Sequence, residues 1–324
     1  MHTSITMNER TLPFQGLRVL MIMGVMCLHT YQYPVFGAGE ELVSFFFVLS
    51  GFLYKDKLSW KSFMLHKFKQ IFPFYWICLG IVLFISFIRG APIWKSTDLI
   101  YHLFLVQSWI PKKDLSFAFG YVGAAWFLSS LWFCYLLTPF LYKLINSLSL
   151  RKTIFAFVLL YVLICICRCR EYIFTYGIWM AYVSPLFRLC EYMMGMLLVH
   201  YLKGKSYKPL SNKVDILSIL TLILYCSIIK YQLLGGASSI AHSCMIAYVY
   251  CLNSKVIHLF LSNKIMVCLA SYSLVMYLTH QSITLSILRP HISNNEILLA
   301  MSVVLGIGFA QIYNMLKKII YYLH

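Results

Sequence analysis

Charged residues are scarce in this chain of 324 residues, and acidic residues are the scarcest. Asp, Glu, Lys and Arg together make up 11% of the sequence, and only 10 residues are acidic. An ordinary soluble domain carries about 25% charged residues, so the composition excludes a water-soluble enzyme, a disordered scaffold and a fibrous repeat. The chain is instead 61% hydrophobic, which is typical of a polytopic membrane protein.

Runs free of Asp, Glu, Lys and Arg recur along the whole chain and predict an all-α, polytopic membrane helix bundle. A transmembrane helix needs about 20 mostly apolar residues. With tolerated charges and turn residues, the runs merge into ten such helices, at residues 14–32, 40–55, 70–89, 121–142, 152–168, 184–202, 214–230, 237–253, 265–287 and 296–316. The stretch 99–111, which holds His102 and Gln107, is too short to span and is expected to be interfacial or re-entrant.

The distribution of basic residues predicts the orientation of the bundle, because cytoplasmic loops are enriched in Lys and Arg. With a cytoplasmic N-terminus, seventeen Lys and Arg residues fall on the inner side and eight on the outer side. We therefore expect one membrane-embedded domain over residues 1–324 with both termini in the cytoplasm. The net charge of +17 then anchors the inner loops to an anionic leaflet and indicates no nucleic-acid partner. No cleavable signal sequence and no separate soluble domain are expected.

Eleven cysteines do not form a metal-binding pattern. Only one residue lies between Cys165 and Cys167 and between Cys167 and Cys169. Zinc sites usually have two to four residues between paired cysteines. Cysteines within predicted spans are usually small packing residues. No metal site is expected.

Arg18 and His29 are the most suggestive of the few ionisable residues inside predicted spans, where such residues are costly and often functional. They lie eleven residues apart on the first helix, which places them on one face, within about 20°, and about 16 Å apart along the axis. A fixed cation low and an imidazole high on one face suit an extended anionic ligand that enters from the cytoplasm. The alternative is that Arg18 reaches lipid phosphates and His29 binds a backbone carbonyl.

Other ionisable residues are expected in the same outer half of the membrane. Ser184 followed by Pro185 predicts a helix start there, and Arg188 and Glu191 are close enough on that helix for an ion pair. The pair either locks two helices or lets Glu191 orient an imidazole, as carboxylates do in catalytic triads. His280 and Trp126 reach a similar depth, whereas His242 is expected to be a packing or backbone-bonded histidine.

Six segments occur in an order that resembles a known family. They are Gly16-Leu17-Arg18 through Leu28-His29; Phe46-Phe47-Val48-Leu49-Ser50-Gly51-Phe52; Lys67 through Pro73-Phe74-Tyr75-Trp76; Trp126-Phe127-Leu128-Ser129 with Tyr135 and Pro139; Pro185-Leu186-Phe187-Arg188 with Glu191 and Gly195; and Ser271-Tyr272-Ser273-Leu274 with Tyr277 and His280. Together they resemble acyltransferase family 3, the bacterial integral-membrane O-acyltransferases that modify surface polysaccharides. The chain departs from the family pattern at Gln15 and Ser44, where the family often has an acid, and at Gln70, where it usually has arginine.

The resemblance implies a ten-helix enzyme of the bacterial cytoplasmic membrane that transfers an acetyl or other acyl group from cytoplasmic acyl-CoA to a sugar hydroxyl of a lipid-linked or exported glycan. Acyl-CoA would be a donor substrate rather than a permanently bound cofactor. The implied catalytic residues are His29, Arg18 and Glu191, the implied donor-binding residues are Arg18, Lys67, Lys69 and Tyr75, and the implied substrate-binding residues are Ser50, Trp126, Tyr135, Arg188 and His280. The phosphates of coenzyme A would meet a basic inner rim that also includes Lys55, Lys57 and Lys61.

Within this chemistry, we expect His29 to act as the general base on the acceptor hydroxyl, because imidazole can take a proton near neutral pH. A covalent acetyl-histidine is the rival mechanism. Arg188, Ser50 or a backbone amide would stabilise the oxyanion. Three other classes stay open: a transporter or flippase for an anionic or lipid-linked substrate, a non-catalytic subunit of a polysaccharide complex, and another membrane acyltransferase family with His280 as its catalytic histidine.

Overall fold

A computed structural model describes residues 11–32, 39–54, 59–90, 96–169, 173–203, 213–231, 233–234, 237–251 and 254–322. Within these ranges every regular element is helical and there is no strand, which confirms the predicted all-α class. The helices are α1 (Pro13–Tyr31), α2 (Gly39–Phe52), α3 (Trp60–Ile88), α4 (Ser96–Leu103), α5 (Ser116–Phe119), α6 (Ala125–Asn146), α7 (Leu150–Cys169), α8 (Gly177–Tyr182), α9 (Pro185–Leu202), α10 (Lys213–Lys230), α11 (Ser239–Cys251), α12 (Lys255–Leu261), α13 (Lys264–Thr279) and α14 (Asn295–Tyr322).

Four of the described helices are long and apolar enough to cross a bilayer: α3, α6, α7 and the part of α14 from Asn295 to Lys317. Large apolar side chains cover the outside of these helices, such as Phe155 on α7 and Val304 on α14. A surface of this kind is stable against lipid and not against water. The protein is therefore an integral membrane protein, while the ten spans and the cytoplasmic termini stay predictions.

The described helices occupy all ten predicted segments, but α3 begins ten residues before the predicted 70–89. Ser59 is its N-cap and accepts a hydrogen bond from the backbone N–H of Ser62. The prediction began too late because it stopped at lysines, whereas a helix can continue beyond the hydrocarbon with charged residues in its first turns. Pro73 lies inside this helix without ending it.

The core is built where α9 packs against α2 with their backbones in contact. A Cβ at Gly195 of α9 would collide with the backbone carbonyl of Val48, and a Cβ at Gly51 of α2 would collide with that of Tyr192. Small residues of this kind let membrane helices approach closely. As predicted, α9 begins at Pro185 with Ser184 as its N-cap residue.

The segment that includes His102 and Gln107 forms a cap beside the bundle, with α4, a 3-10 turn at Gln107–Trp109 and α5. Both side chains are fully buried, in agreement with a re-entrant piece packed on the protein. The Tyr75 hydroxyl donates a hydrogen bond of 2.6 Å to the carbonyl of His102. Trp76 of α3 donates one of 2.9 Å to the carbonyl of Leu103, so α3 holds the cap in place.

The penultimate helix runs from residue 264 to 288, close to the predicted 265–287, but its turn His280–Leu285 is π-helical. Hydroxyl groups satisfy carbonyls there: Thr284 donates to the carbonyl of His280 at 2.7 Å, and Ser286 donates to that of Ser282 at 2.8 Å. A π-helical turn shifts the register of the side chains and is frequent at functional sites. Hydrophobic periodicity carries no signal for it.

Candidate active site

A cavity of about 440 Å³ lies among α1, α2, α3, α6 and α13, at the Arg18 end of α1. We refer to it as the Arg18 cavity. Four of the predicted site residues line it, namely Arg18, Ser50, Lys67 and Tyr135. The other lining residues are mostly apolar or aromatic and comprise Ile22, Phe46, Leu49, Leu53, Tyr54, Phe63, His66, Gln70, Ile71, Phe127, Leu128, Leu131, Tyr192, Ser273, Leu274 and Tyr277. The cavity thus combines basic groups with a largely apolar wall.

The Arg18 guanidinium is held inside the bundle. It donates to the side-chain oxygen of Gln15 at 3.3 Å and to the hydroxyl of Ser273 on α13 at 3.2 Å. Both partners are neutral, so they position the guanidinium without compensating its charge. This geometry disagrees with the alternative in which Arg18 only reaches lipid phosphates, and it leaves a cation available to an anionic ligand in the cavity.

Lys67 supplies the second cation of the Arg18 cavity. Its Nζ lies 4.6 Å from the centroid of the Tyr135 ring and 5.7 Å from that of Phe63. An ammonium group at this distance is attracted to the ring face. Lys69 is exposed and does not line the cavity. Lys55 and Lys57, predicted for the same basic rim, lie outside the described residues.

His29 lines a second, separate depression at the opposite end of α1, which we call the His29 pocket. Its other lining residues are Leu28, Gln32, Gln281, Leu285, Ser286 and Arg289. Arg289 donates through one nitrogen, at 2.8 Å each, to the carbonyls of His29 and Thr30. These carbonyls belong to the last turn of α1, where a cation is favourable. Arg289 therefore fixes the end of α1 that carries His29.

The imidazole of His280 lies next to that of His29, with ring centroids 5.1 Å apart. His280 is 1% exposed. Its Nδ1 lies 2.6 Å from the carbonyl of Tyr277, so Nδ1 carries the proton and Nε2 keeps a lone pair. Within the described part of the chain, Nε2 has no hydrogen-bond partner.

Arg18 and His29 both contact the penultimate helix, Arg18 through Ser273 and His29 through His280. The predicted common face of α1 is thereby confirmed. The Arg18 cavity and the His29 pocket nevertheless share no lining residue. Phe127 and Tyr277, whose rings lie 5.4 Å apart, both line the Arg18 cavity, and the ring of Tyr277 lies 5.7 Å from that of His280.

Arg188 and Glu191 form the predicted ion pair, at 2.8 Å, with both side chains fully buried. The hydroxyl of Ser44 donates to Glu191 at 2.6 Å and accepts from Arg188 at 2.8 Å. Trp126 covers the guanidinium, which lies 5.3 Å from the ring centroid. Glu191 is thus paired with Arg188 rather than with an imidazole, a geometry that favours the structural alternative.

Three further predicted residues lie away from both cavities. Arg188 and Trp126 line neither of them, and the guanidinium of Arg188 lies 5.5 Å from the centroid of the Phe47 ring. Tyr75, expected at the donor, instead binds the cap through its hydroxyl. This contact could not be predicted, because its two residues come from different segments.

His242 is structural, as predicted. Its Nε2 lies 2.7 Å from the carbonyl of Glu41, and its Nδ1 lies 2.8 Å from the hydroxyl of Tyr225. The residues that sequence reasoning missed are Gln32, Gln281 and Arg289 of the His29 pocket. In the sequence, Arg289 was only one of the positive charges assigned to the outer loops, which lie on the side of the membrane predicted for His29.

Comparison with protein families assigns nearly the whole chain to a known domain. A family model described as an acyltransferase domain, that of acyltransferase family 3, matches residues 14–313, nearly the whole chain. The match includes both cavities and the ion pair. No curated protein and no solved structure matches the chain.

Proposed function

The chain belongs to acyltransferase family 3 and is a membrane acyltransferase, and from that premise we propose that it moves an acetyl group from cytoplasmic acetyl-CoA to a sugar hydroxyl of a surface or exported polysaccharide. The observation that carries the proposal is the pair of cavities at opposite ends of α1. One holds Arg18 and Lys67, and the other holds His29. A donor and an acceptor that approach from opposite sides need two such compartments.

The Arg18 cavity suits the donor. Phosphate and carbonyl oxygens accept hydrogen bonds from guanidinium and ammonium groups, here those of Arg18 and Lys67. The apolar wall suits the pantetheine arm and the acyl group. Ser50 and Tyr135 line this cavity, so in this proposal they contact the donor rather than the sugar. Lys69, exposed nearby, contributes long-range attraction for the phosphates.

The His29 pocket suits the acceptor. Gln32, Gln281 and Ser286 offer amide and hydroxyl groups of the kind that bind sugar hydroxyls. In the proposed step, His29 takes the proton of the acceptor hydroxyl as its oxygen attacks the thioester carbonyl. The new C–O bond forms, the C–S bond breaks, and coenzyme A leaves as its thiolate. A transient acetyl-histidine is the alternative route.

The donor has to pass one obstacle in this proposal. Phe127 and Tyr277 line the Arg18 cavity with their rings in contact, and we propose that they form a partition that opens to let the thioester reach His29. The distance along α1 between Arg18 and His29, about 16 Å, is within the reach of an extended pantetheine arm.

The test uses the purified protein in liposomes, with acetyl-CoA labelled in the acetyl group and a glycan acceptor. We expect covalent label on the glycan, and loss of that label for His29→Ala at unchanged protein level. His200→Ala is the matched control, since this half-buried histidine lies on α9 and contacts the carbonyl of Leu148.

Two results contradict the proposal. Wild-type labelling by His29→Ala removes the catalytic role of this histidine. Accumulation of substrate inside the vesicles without covalent label identifies a transporter instead.

A further inference from the structure

His280 has the features of a group that handles a proton. It is almost completely buried, and the carbonyl of Tyr277 fixes its proton on Nδ1. The lone pair of Nε2 is left without a partner among the described residues. Several other buried polar atoms of the described residues also lack a partner, and what distinguishes this one is the His29 ring 5.1 Å away. A lone pair in this position can receive a proton during the reaction.

The backbone is adapted at this residue. The π-helical turn begins at His280, and Thr284 satisfies the His280 carbonyl through its hydroxyl. His280 itself continues α13, with its backbone N–H bonded to the carbonyl of Met276, and its ring lies 5.1 Å from the His29 ring just before the helix changes to the π form. An interruption of a regular helix costs stability and persists where function requires it.

His280 lies between the two cavities. Tyr277 lines the Arg18 cavity, and its ring is 5.7 Å from that of His280. His29 is next and lines the His29 pocket. From the Arg18 cavity outward, the order is therefore Tyr277, His280 and His29. A thioester that passes Tyr277 meets His280 before it reaches His29.

We propose that His280 is a catalytic residue that protonates the departing thiolate, with a proton that it receives from His29. This inference rests on the proposed function and assigns the group that protonates the leaving thiolate. The hydroxyl proton of the acceptor passes to His29, then to Nε2 of His280, and finally to the sulfur of coenzyme A. The C–O bond forms and the C–S bond breaks, so the acyl group moves outward while one proton moves inward, and both imidazoles return to their neutral forms.

A fixed charge disfavours retention of the proton on His29. Arg289 lies against the carbonyls of His29 and Thr30 and lines the same pocket as His29. Its positive charge disfavours a second positive charge on His29. His29 therefore does not retain the proton in this proposal, and His280, whose ring centroid lies 5.1 Å away, is the neighbouring base.

The test compares His280→Gln with wild type on two acetyl donors. One is acetyl-CoA, whose thiolate needs a proton to leave efficiently, and the other is an acetyl thioester of an acidic nitrothiophenol, whose thiolate leaves without one. We expect His280→Gln to lose roughly 100-fold or more with acetyl-CoA, the usual contribution of general acid–base catalysis, and less than about 10-fold with the aryl thioester. The ratio of variant to wild type for each donor cancels differences in donor binding.

Two controls frame this comparison. His242→Gln replaces a buried histidine outside both cavities, and any loss that it causes is expected to be equal for the two donors. His29→Ala is expected to lose activity with both donors, since the acceptor hydroxyl still needs its base. An equal loss by His280→Gln on both donors overturns the relay and leaves a structural role.

If His280→Gln does not accumulate in the membrane, the wild-type protein provides the second measurement. Its transfer rate across a series of aryl and alkyl thioesters is expected to depend weakly on the acidity of the leaving thiol, because a proton is delivered to the sulfur. A steep dependence overturns the proposal. Absence of any transfer to glycan by wild type is a different outcome, which defeats the proposed function itself.

Discussion

Removal of the Glu191 charge tests whether the buried ion pair is structural or catalytic. Glu191→Gln keeps the shape of the side chain but leaves the guanidinium of Arg188 without its anionic partner at a fully buried position. Breaking one partner of such a pair costs about 3–5 kcal/mol, because a buried charge is left uncompensated. We expect a loss of this size in the free energy of unfolding, measured by denaturant titration in mixed micelles.

The double variant Arg188→Met, Glu191→Leu provides the matched comparison. Replacing both charges with apolar side chains is often neutral, so most of the lost stability is expected to return. The carbonyl of Tyr182, which accepts a hydrogen bond of 2.7 Å from Nε of Arg188, then has no donor from this side chain. Loss of a hydrogen bond to a charged group costs about 1.5–3 kcal/mol, which sets the residual deficit of the double variant.

Acetyl transfer decides between the two roles. If the pair is structural, the folded fraction of Glu191→Gln transfers acetyl at a rate close to that of wild type. Wild-type stability together with a loss of about 100-fold in transfer would refute this interpretation and return Glu191 to the catalytic residues.

Two further predictions use matched pairs of sites. Lys67→Met is expected to raise the KM for acetyl-CoA by about 10-fold with little change in kcat, because Lys67 lines the Arg18 cavity. Lys69→Met, at an exposed neighbouring position, is expected to change KM by less than about 2-fold. Equal effects of the two variants in steady-state kinetics would contradict the assignment of the cavity to the donor. Gly195→Ala is expected to destabilise the protein by about 1–3 kcal/mol in thermal unfolding, because its Cβ meets the backbone of Val48. Gly80→Ala is the control, since nothing lies within 4 Å of its Cβ, and it is expected to be neutral or slightly stabilising.

The sequence was sufficient for features that depend on local pattern. Ser184 and Pro185 marked the start of α9 because a proline at the first helical position loses no intrahelical hydrogen bond. The spacing of Arg18 and His29 placed them on one face because helical periodicity is regular over eleven residues. The three-residue spacing of Arg188 and Glu191 predicted their ion pair for the same reason.

Features that depend on distant segments could not be predicted in this way. Arg289 binds carbonyls 259 and 260 positions earlier in the chain, and its contacts are to backbone atoms that every residue possesses. The π-helical turn that begins at His280 lies within a sequence that is also compatible with a regular helix, since its hydroxyl bonds to carbonyls four residues earlier occur in both. Tyr75 was expected at the donor because its segment resembles the basic stretch of the family, while the cap that binds its hydroxyl belongs to another segment.

The proposed function requires a partition between the Arg18 cavity and the His29 pocket. An open channel along α1 would admit water to the reacting groups, where it competes with the acceptor hydroxyl. Phe127 and Tyr277 are each less than 10% exposed, and under the proposed function they form the partition between Arg18 and the histidine pair. Under the proposed function, donor binding in the Arg18 cavity supplies the free energy that displaces these rings, so the thioester meets the imidazoles only when the arm that carries it fills the opening. Tyr277 lines the Arg18 cavity, and its ring lies 5.7 Å from that of His280. Under the proposed function, this residue therefore couples donor binding to proton transfer.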